Sequence, residues 1–139
     1  MKGPYPELLM DHARTPRHEG PLPSATHGAR LSNPLCGDRM HLHLRLEEET
    51  IVAARFEARG CVLCRGSASI LTELLVGASP AAATELVHAL ERALDGEATK
   101  DPPSLAVLAE LRELPGRRRC VTLAWESLLE ALGPKGRRT

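Results

Sequence analysis

The period of the apolar residues changes once along the chain, at Gly60, and this change limits the possible folds. Residues 39–48 alternate strictly between apolar and polar side chains, which is typical of a half-buried strand. Residues 50–60 predict the returning strand of a hairpin, and residues 27–33 predict a short further strand. After Gly60 the apolar residues recur at helical spacing. Strands followed by helices predict an α+β domain, with helices packed on one face of a small antiparallel sheet of about three strands.

The sequence also predicts which strand residues face the core. In the first hairpin strand these are Met40, Leu42, Leu44 and Leu46. In the returning strand, either Ile51 and Ala53 or Val52 and Ala54 join Phe56, and the pattern leaves both alternatives open. Helices are predicted over residues 5–14, 67–77, 80–96, 104–114 and about 120–132. We expect a single domain over residues 1–139, with residues 1–4 and 133–139 frayed at its ends.

Composition excludes several classes of function. The 18 basic and 18 acidic residues cancel, so no net field attracts the chain to nucleic acid or to an anionic membrane. Three aromatic residues, Tyr5, Phe56 and Trp125, are too few for a single-stranded nucleic-acid platform. The sequence contains neither an apolar run long enough to cross a bilayer nor a signal-peptide core. We therefore expect a cytoplasmic protein whose four cysteines are ligands or reactive thiols rather than disulfides.

Three cysteines and an aspartate occupy the ends of predicted elements. Cys36 and Asp38 lie in the loop between two strands, Cys61 lies where a strand gives way to a helix, and Cys120 begins the last helix. Side chains at such positions can be aimed at one point by a rigid scaffold. Thiolates are soft ligands for zinc and for iron–sulfur clusters. The pattern therefore predicts one metal or iron–sulfur site formed by these four residues.

Charge around the last cysteine suggests a reactive thiolate. Cys120 is expected at a helix N-terminus directly after Arg117, Arg118 and Arg119, and both features lower the pKa of a thiol. Asp38 is a harder ligand than a thiolate. A mixed site of this kind suits a centre that opens, exchanges a ligand or releases its cargo.

Other interpretations of the same residues stay open. A single cysteine is most often a small core residue, which is an alternative for Cys61 and for Cys120 taken one at a time. Cys61 and Cys64 form a CxxC pair, but the parallel strand–helix unit of a thioredoxin-like redox motif is not predicted. His41 and His43 alternate on the polar face of their strand, where we favour a solvated surface over a metal site.

Four segments of the chain are distinctive: YPELLMDHARTPRHEG (5–20), NPLCGDRM (33–40), GCVLCRGSAS (60–69) and RRRCVTLAW (117–125). Together they resemble the IscU/SufU/NifU N-terminal family of iron–sulfur cluster assembly proteins. The resemblance runs nearly end to end. Within the family the chain is more similar to the SufU type. The stretch between Cys61 and Cys120 is long, and Arg119 stands where the IscU type carries a histidine.

The resemblance implies both a site and partners. It implies that Cys36, Asp38, Cys61 and Cys120 hold zinc in the resting state, a [2Fe–2S] cluster, or each in turn, and that Cys120 accepts persulfide sulfur. The implied donor is a PLP-dependent cysteine desulfurase, and the implied recipient is an iron–sulfur carrier or a SufBCD-type scaffold. The alternatives are a cluster scaffold, a zinc-dependent sulfurtransferase that holds no cluster and, less favoured, a structural zinc domain. Whether the protein is an enzyme stays open. Cys64 departs from the family pattern, and we favour a structural bystander over a resolving thiol or substitute ligand.

Overall fold

The computed structural model describes residues 5–34, 37–99 and 102–137, with Lys135 described by its backbone alone. Three antiparallel strands form one sheet in the order β1–β2–β3. The strands are β1 (His27–Asn33), β2 (Asp38–Glu47) and β3 (Thr50–Arg59). The α-helices are α1 (Glu7–Arg14), α2 (Val62–Leu75), α3 (Pro80–Leu94), α4 (Pro103–Ala109) and α5 (Arg118–Leu132). The predicted α+β class and three-stranded antiparallel sheet are confirmed. No helix in the described ranges combines the length and apolarity needed to cross a membrane.

A β-bulge decides which residues of β3 face the core. The pairing of β2 with β3 shifts between Arg45 and Leu46, so one extra residue of β3 is left without a partner across the ladder. As a result Ile51 and Ala54 are both buried although three positions separate them. Phe56 is buried on the same face. The sequence left two alternatives open, and the structure combines one member of each.

Helix α1 packs against α2 at a glycine. A Cβ added to Gly66 would lie 2.7 Å from both the Leu9 carbonyl oxygen and the Leu9 side chain. Leu9 is fully buried. A residue with a side chain at this position of α2 would push the two helices apart, because close-packed interiors have no free volume to receive it. Glycine is therefore required here by space, at some cost in helix propensity.

Two buried serines of α2 join it to the rest of the molecule. The Ser67 hydroxyl donates to the carbonyl oxygen of Val121 at 2.6 Å and accepts from the Trp125 indole N–H at 2.9 Å. Ser69 lies 2.7 Å from Nδ1 of His12. One serine thus fixes the first half of α5 and the other fixes α1, so α2 sets the position of both neighbours.

The C-terminal segment, which the sequence predicts to be frayed, folds back on α5 in the structure. Residues Pro134–Gly136 form a 3₁₀ turn, and Arg137 makes an isolated bridge to His27 of β1. Gly136 is in close contact with the backbone of Ala131, so the turn folds back on α5. The segment that the sequence predicts to fray therefore has local structure as far as Arg137. Residues 1–4, 138 and 139 lie outside the described ranges.

The predicted helix over 104–114 is also shorter than expected. Its α-helical part ends at Ala109, and a 3₁₀ turn over Glu110–Glu113 continues it. Leu105, Leu108 and Leu111 are buried, which shows that the tightened turn keeps its apolar residues on the core side.

Replacing Gly66 tests the close approach of α1 and α2. We expect Gly66→Ala to lower the free energy of unfolding by about 1–3 kcal/mol, because overpacking outweighs the gain in helix propensity. Gly116→Ala is the matched control, since an added Cβ there meets nothing within 4 Å. Denaturant unfolding of the two variants measures the difference. Equal midpoints would contradict the packing described here.

Candidate metal centre

Asp38, Cys61 and Cys120 come together in space from three different elements. One ligand atom from each lies within 4.8 Å of the other two. Asp38 is the first residue of β2 and pairs with Asn33 of β1. Cys61 is the N-cap residue of α2, and Cys120 lies in the first turn of α5. The structure thus brings together three of the four side chains expected at the site. The fourth, Cys36, lies outside the described residues.

A hydrogen bond fixes Asp38 against the start of α2. One carboxylate oxygen of Asp38 accepts from the backbone N–H of Cys61 at 3.0 Å, and the other lies 3.8 Å from the Cys61 thiol. Gly60 makes this approach possible. Its φ is +138° and a Cβ at this position would overlap the Asp38 carboxylate. Only glycine allows both the backbone angle and the contact.

The site is mostly closed to solvent. Asp38 is 1% exposed and Cys120 is 2% exposed, whereas Cys61 is partly exposed. Burial, the neighbouring Cys61 thiol and the Asp38 carboxylate all raise the pKa of Cys120. This direction is opposite to the one expected from a helix N-terminus with three arginines. Three groups that can each carry a negative charge share a dry space, and each disfavours ionisation of the others.

The partners of the arginines before Cys120 explain in part why these arginines do not lower the pKa of its thiol. Arg118 pairs with Asp95 at 2.8 Å, and Arg119 pairs with Glu126 at 3.1 Å, so each guanidinium has an acidic partner away from the thiols. Only the first arginine of the run, Arg117, lies beside them.

The charge of Arg117 interacts with the thiols of the site. The pKa of Arg117 is raised by Tyr5 and then by hydrogen bonding and charge interaction with Cys120, with a smaller contribution from Cys61. Arg117 is an exposed residue at the edge of the site. It is therefore the one arginine of the run that can stabilise a thiolate there.

The donor set fits a divalent metal ion. Two thiols and a carboxylate are ligand types that zinc takes in proteins, usually with a fourth ligand in a tetrahedron. A cation among these groups offsets the cost of their negative charges, and its binding would release the thiol protons. Cys36 precedes Asp38 by two residues in the sequence and has the right chemistry for the fourth ligand.

Cys64 lies apart from this group. It is 1% exposed and belongs to the hydrophobic core. Among the described residues, the thiol–carboxylate group contains Cys61 and Cys120 but not Cys64. This placement favours the interpretation of Cys64 as a structural bystander.

The structure also assembles a group that sequence reasoning missed. On the other face of the sheet, one ligand atom from each of His41, His43 and Glu57 lies within 4.8 Å of the other two. His43 is only 4% exposed, so the expectation of a solvated strand face is wrong for this residue. The alternation of the histidines was visible in the sequence. Glu57 could be recognised as the third member of the group only from the strand register, which pairs it with His41.

The fold and the thiol–carboxylate group define a class of protein. It is a small α+β domain in which side chains suited to a metal ion meet where β2, α2 and α5 begin. The profile of the NifU-like N terminal domain family matches residues 4–134. The chain belongs to this family.

Relatives with assigned roles match along most of the chain. The iron–sulfur cluster assembly scaffold protein IscU of Streptococcus pyogenes serotype M1 is 31% identical over 131 residues, which are 92% of this chain and 82% of that protein. The zinc-dependent sulfurtransferase SufU of Bacillus subtilis strain 168 is 30% identical over 127 residues, covering 89% of this chain and 86% of that protein.

Solved structures share the fold. FiSufU from Fervidobacterium islandicum AW-1 superimposes with a TM-score of 0.87 at 24% identity, covering 93% of this chain and 96% of that chain. A nitrogen-fixing NifU-like protein (N-terminal) from Brucella abortus superimposes with a TM-score of 0.81 at 18% identity, covering 91% and 90%. The likeness therefore extends over the whole domain architecture.

Replacing Gly60 tests how Asp38 is held at the site. We expect Gly60→Ala to weaken zinc binding by about tenfold or more, because the displaced carboxylate can no longer meet the two thiols. Gly77→Ala is the matched control. Its φ is also positive, at +92°, but an added Cβ meets nothing within 4 Å. Both variants should lose stability through backbone strain. Competition with a chromophoric chelator measures zinc affinity, and equal affinities in the two variants would contradict this role of Gly60.

Proposed function

We propose that this protein acts in iron–sulfur cluster assembly, with Cys36, Asp38, Cys61 and Cys120 as its metal ligands. The observation that carries the proposal is the approach of Asp38, Cys61 and Cys120 to within 4.8 Å of one another. It is supported by relatives named as an IscU scaffold and a SufU sulfurtransferase. On this proposal the sulfur comes from a PLP-dependent cysteine desulfurase.

Zinc suits the resting state of such a site. When bound, zinc keeps its cysteine ligands deprotonated and therefore ready to act as nucleophiles. The protein supplies the arrangement. The hydrogen bond from the Cys61 N–H holds the Asp38 carboxylate in place, and the Ser67 contact with Val121 holds the first turn of α5, which carries Cys120.

Cys120 is the proposed sulfur acceptor. Its thiolate attacks the outer sulfur of the desulfurase cysteine persulfide, the S–S bond of the donor breaks, and the donor leaves as a thiolate. A new S–S bond then joins that sulfur to Cys120. Arg117 lies beside this thiol and stabilises negative charge on it. Because Cys120 is only 2% exposed, the desulfurase must uncover it on docking.

Asp38 is the ligand that makes such opening possible. A carboxylate is a harder donor than a thiolate and binds a soft centre less firmly. The hydrogen bond that Asp38 accepts from the Cys61 amide does not depend on an ion. It would hold the carboxylate near the thiols whether or not Asp38 were bound to a metal.

A second candidate is a zinc-dependent sulfurtransferase that passes persulfide on without holding a cluster. The observation that favours it is the position before Cys120. Arg119 occupies this position, and its guanidinium pairs with Glu126 at 3.1 Å, so it does not supply the imidazole implied for the cluster-holding type. The same four ligands serve both candidates.

The proposed setting follows from the chemistry of the site. Thiols that act as ligands and sulfur acceptors must stay reduced, which is the condition of the cytoplasm. We place the protein there. The recipient of its sulfur or cluster would be an iron–sulfur carrier or a SufBCD-type scaffold.

Sulfur transfer from a desulfurase tests the proposal at single cysteines. The zinc-loaded protein is incubated with a cysteine desulfurase and L-cysteine, and persulfide on each thiol is identified by mass spectrometry after alkylation. We expect Cys120→Ser to lose sulfur acceptance by at least about tenfold, because the nucleophile is gone. Cys64→Ser, which removes a core thiol outside the site, should accept sulfur as the unchanged protein does.

Two results of this experiment would contradict the proposal. One is full sulfur acceptance by Cys120→Ser, and the other is an unchanged protein that accepts no sulfur. Adding ferrous iron anaerobically to the same reaction separates the two candidates. A stable cluster absorbance on the protein favours the cluster scaffold. Sulfur acceptance without that absorbance favours the zinc-dependent sulfurtransferase.

A further inference from the structure

His41, His43 and Glu57 form a group on the sheet face opposite the helices. His41 lies directly across from Glu57 in the pairing of β2 with β3, and His43 lies two residues further along β2 on the same face. The group shares no residue with the thiol–carboxylate group. Three ligand-bearing side chains thus project from two rigid, paired strands, and such elements hold a site more tightly than loops do.

The distances within the group are near those between the ligands of one metal ion. The same oxygen of Glu57 lies 2.8 Å from Nε2 of His43 and 3.6 Å from Nδ1 of His41. The two imidazole ring centroids are 3.9 Å apart. Ligands about 2.0–2.2 Å from a tetrahedral zinc ion lie roughly 3.3–3.5 Å from each other. The two carboxylate–imidazole separations, 2.8 Å and 3.6 Å, lie below and just above this range, so an ion is admitted when the hydrogen-bonded pair moves apart.

Burial differs among the three side chains in a way that suits an exchangeable ion. The side chain of His43 is 5% exposed, that of His41 is 19% exposed and that of Glu57 is 49% exposed. One ligand is thus anchored in the protein while the carboxylate faces solvent. An ion held there keeps coordination positions for water or an incoming group, as open three-ligand sites do.

We propose that His41, His43 and Glu57 form a second metal site, which takes a divalent first-row transition ion. Two imidazoles and one carboxylate are a donor set used for zinc and for ferrous iron. Imidazole disfavours magnesium and calcium, which take oxygen ligands. The site is independent of the thiol–carboxylate centre, so each can be filled or removed without the other.

The arginines on the same face set the strength of the site. Arg55 is directed to the carbonyl oxygen of Glu19 at 3.2 Å, and Arg45 to that of Ser24 at 3.1 Å. Arg30 lies across from His41 on β1 and is among the cations that act on Glu57. The pKa of Glu57 is lowered mainly by its hydrogen bond with His43, and Arg30 adds a smaller effect in the same direction. The positive charge of Arg30 also competes with an incoming cation. Arg30→Gln is therefore expected to bind the ion more tightly.

Cobalt binding to the zinc-loaded protein tests this proposal. The full chain is first saturated with one equivalent of zinc at the thiol site and is then titrated with Co²⁺, which reports its ligands by optical absorption. We expect a further equivalent to bind with the d–d bands of nitrogen and oxygen ligands and without a sulfur-to-cobalt charge-transfer band. Glu57→Gln and His43→Gln should each weaken this second binding by roughly 100-fold or more, with the first zinc retained.

The controls separate metal binding from folding. His88→Gln removes an exposed imidazole on α3 and should leave the second equivalent unchanged. Glu57→Gln replaces a half-exposed side chain, so it tests the ligand even if His43→Gln fails to fold, and circular dichroism checks both. The proposal is overturned if the unchanged protein binds no second cobalt ion, if folded Glu57→Gln binds it equally well, or if the bound ion shows sulfur ligation.

Discussion

The hydrogen bond between the Asp38 carboxylate and the Cys61 amide, 3.0 Å long, is the contact on which the rest of the site depends. It joins the start of β2 to the start of α2 across Gly60, whose missing side chain leaves room for the carboxylate. Because Asp38 is buried, the bond also satisfies a polar group that would otherwise be costly to enclose. The sheet and the first long helix after it are therefore joined where the ligands lie.

Helix α5 brings the second described thiol of the site, Cys120, to this junction. Ser67 bonds both Val121 and Trp125 from inside the core, so the turn that holds Cys120 cannot move independently of α2. The cost of this arrangement is electrostatic. Burial and the close approach of Cys61 and Asp38 disfavour the charged form of Cys120, as the raised pKa of its thiol records. A bound cation is the simplest way to relieve that cost, which is why the geometry and the charges favour the same chemistry.

The sequence predicted the strands and helices well, but it did not predict the charge interactions around the site. Alternation located β2 and β3, and the position of Asp38 and three cysteines at element ends suggested a common site. The bulge at Arg45 and Leu46 could not be predicted, because either face of β3 offers apolar residues. Arg118 pairs with Asp95 at the end of α3, and Arg119 pairs with Glu126 on α5. The position of these arginines next to Cys120 in the sequence does not predict either pair. The burial of His43 likewise depends on tertiary packing rather than on strand alternation.

X-ray absorption at the zinc edge, measured on the purified chain loaded with a single equivalent of zinc, tests whether the thiol–carboxylate group is the metal centre. With a single equivalent of zinc bound, we expect that ion to have three sulfur ligands at about 2.3 Å and one oxygen ligand at about 2.0–2.2 Å. Asp38→Ala should change only the oxygen shell, by loss or by replacement with another ligand. A first shell made of nitrogen and oxygen alone, or four sulfur ligands in the unchanged protein, would contradict the account.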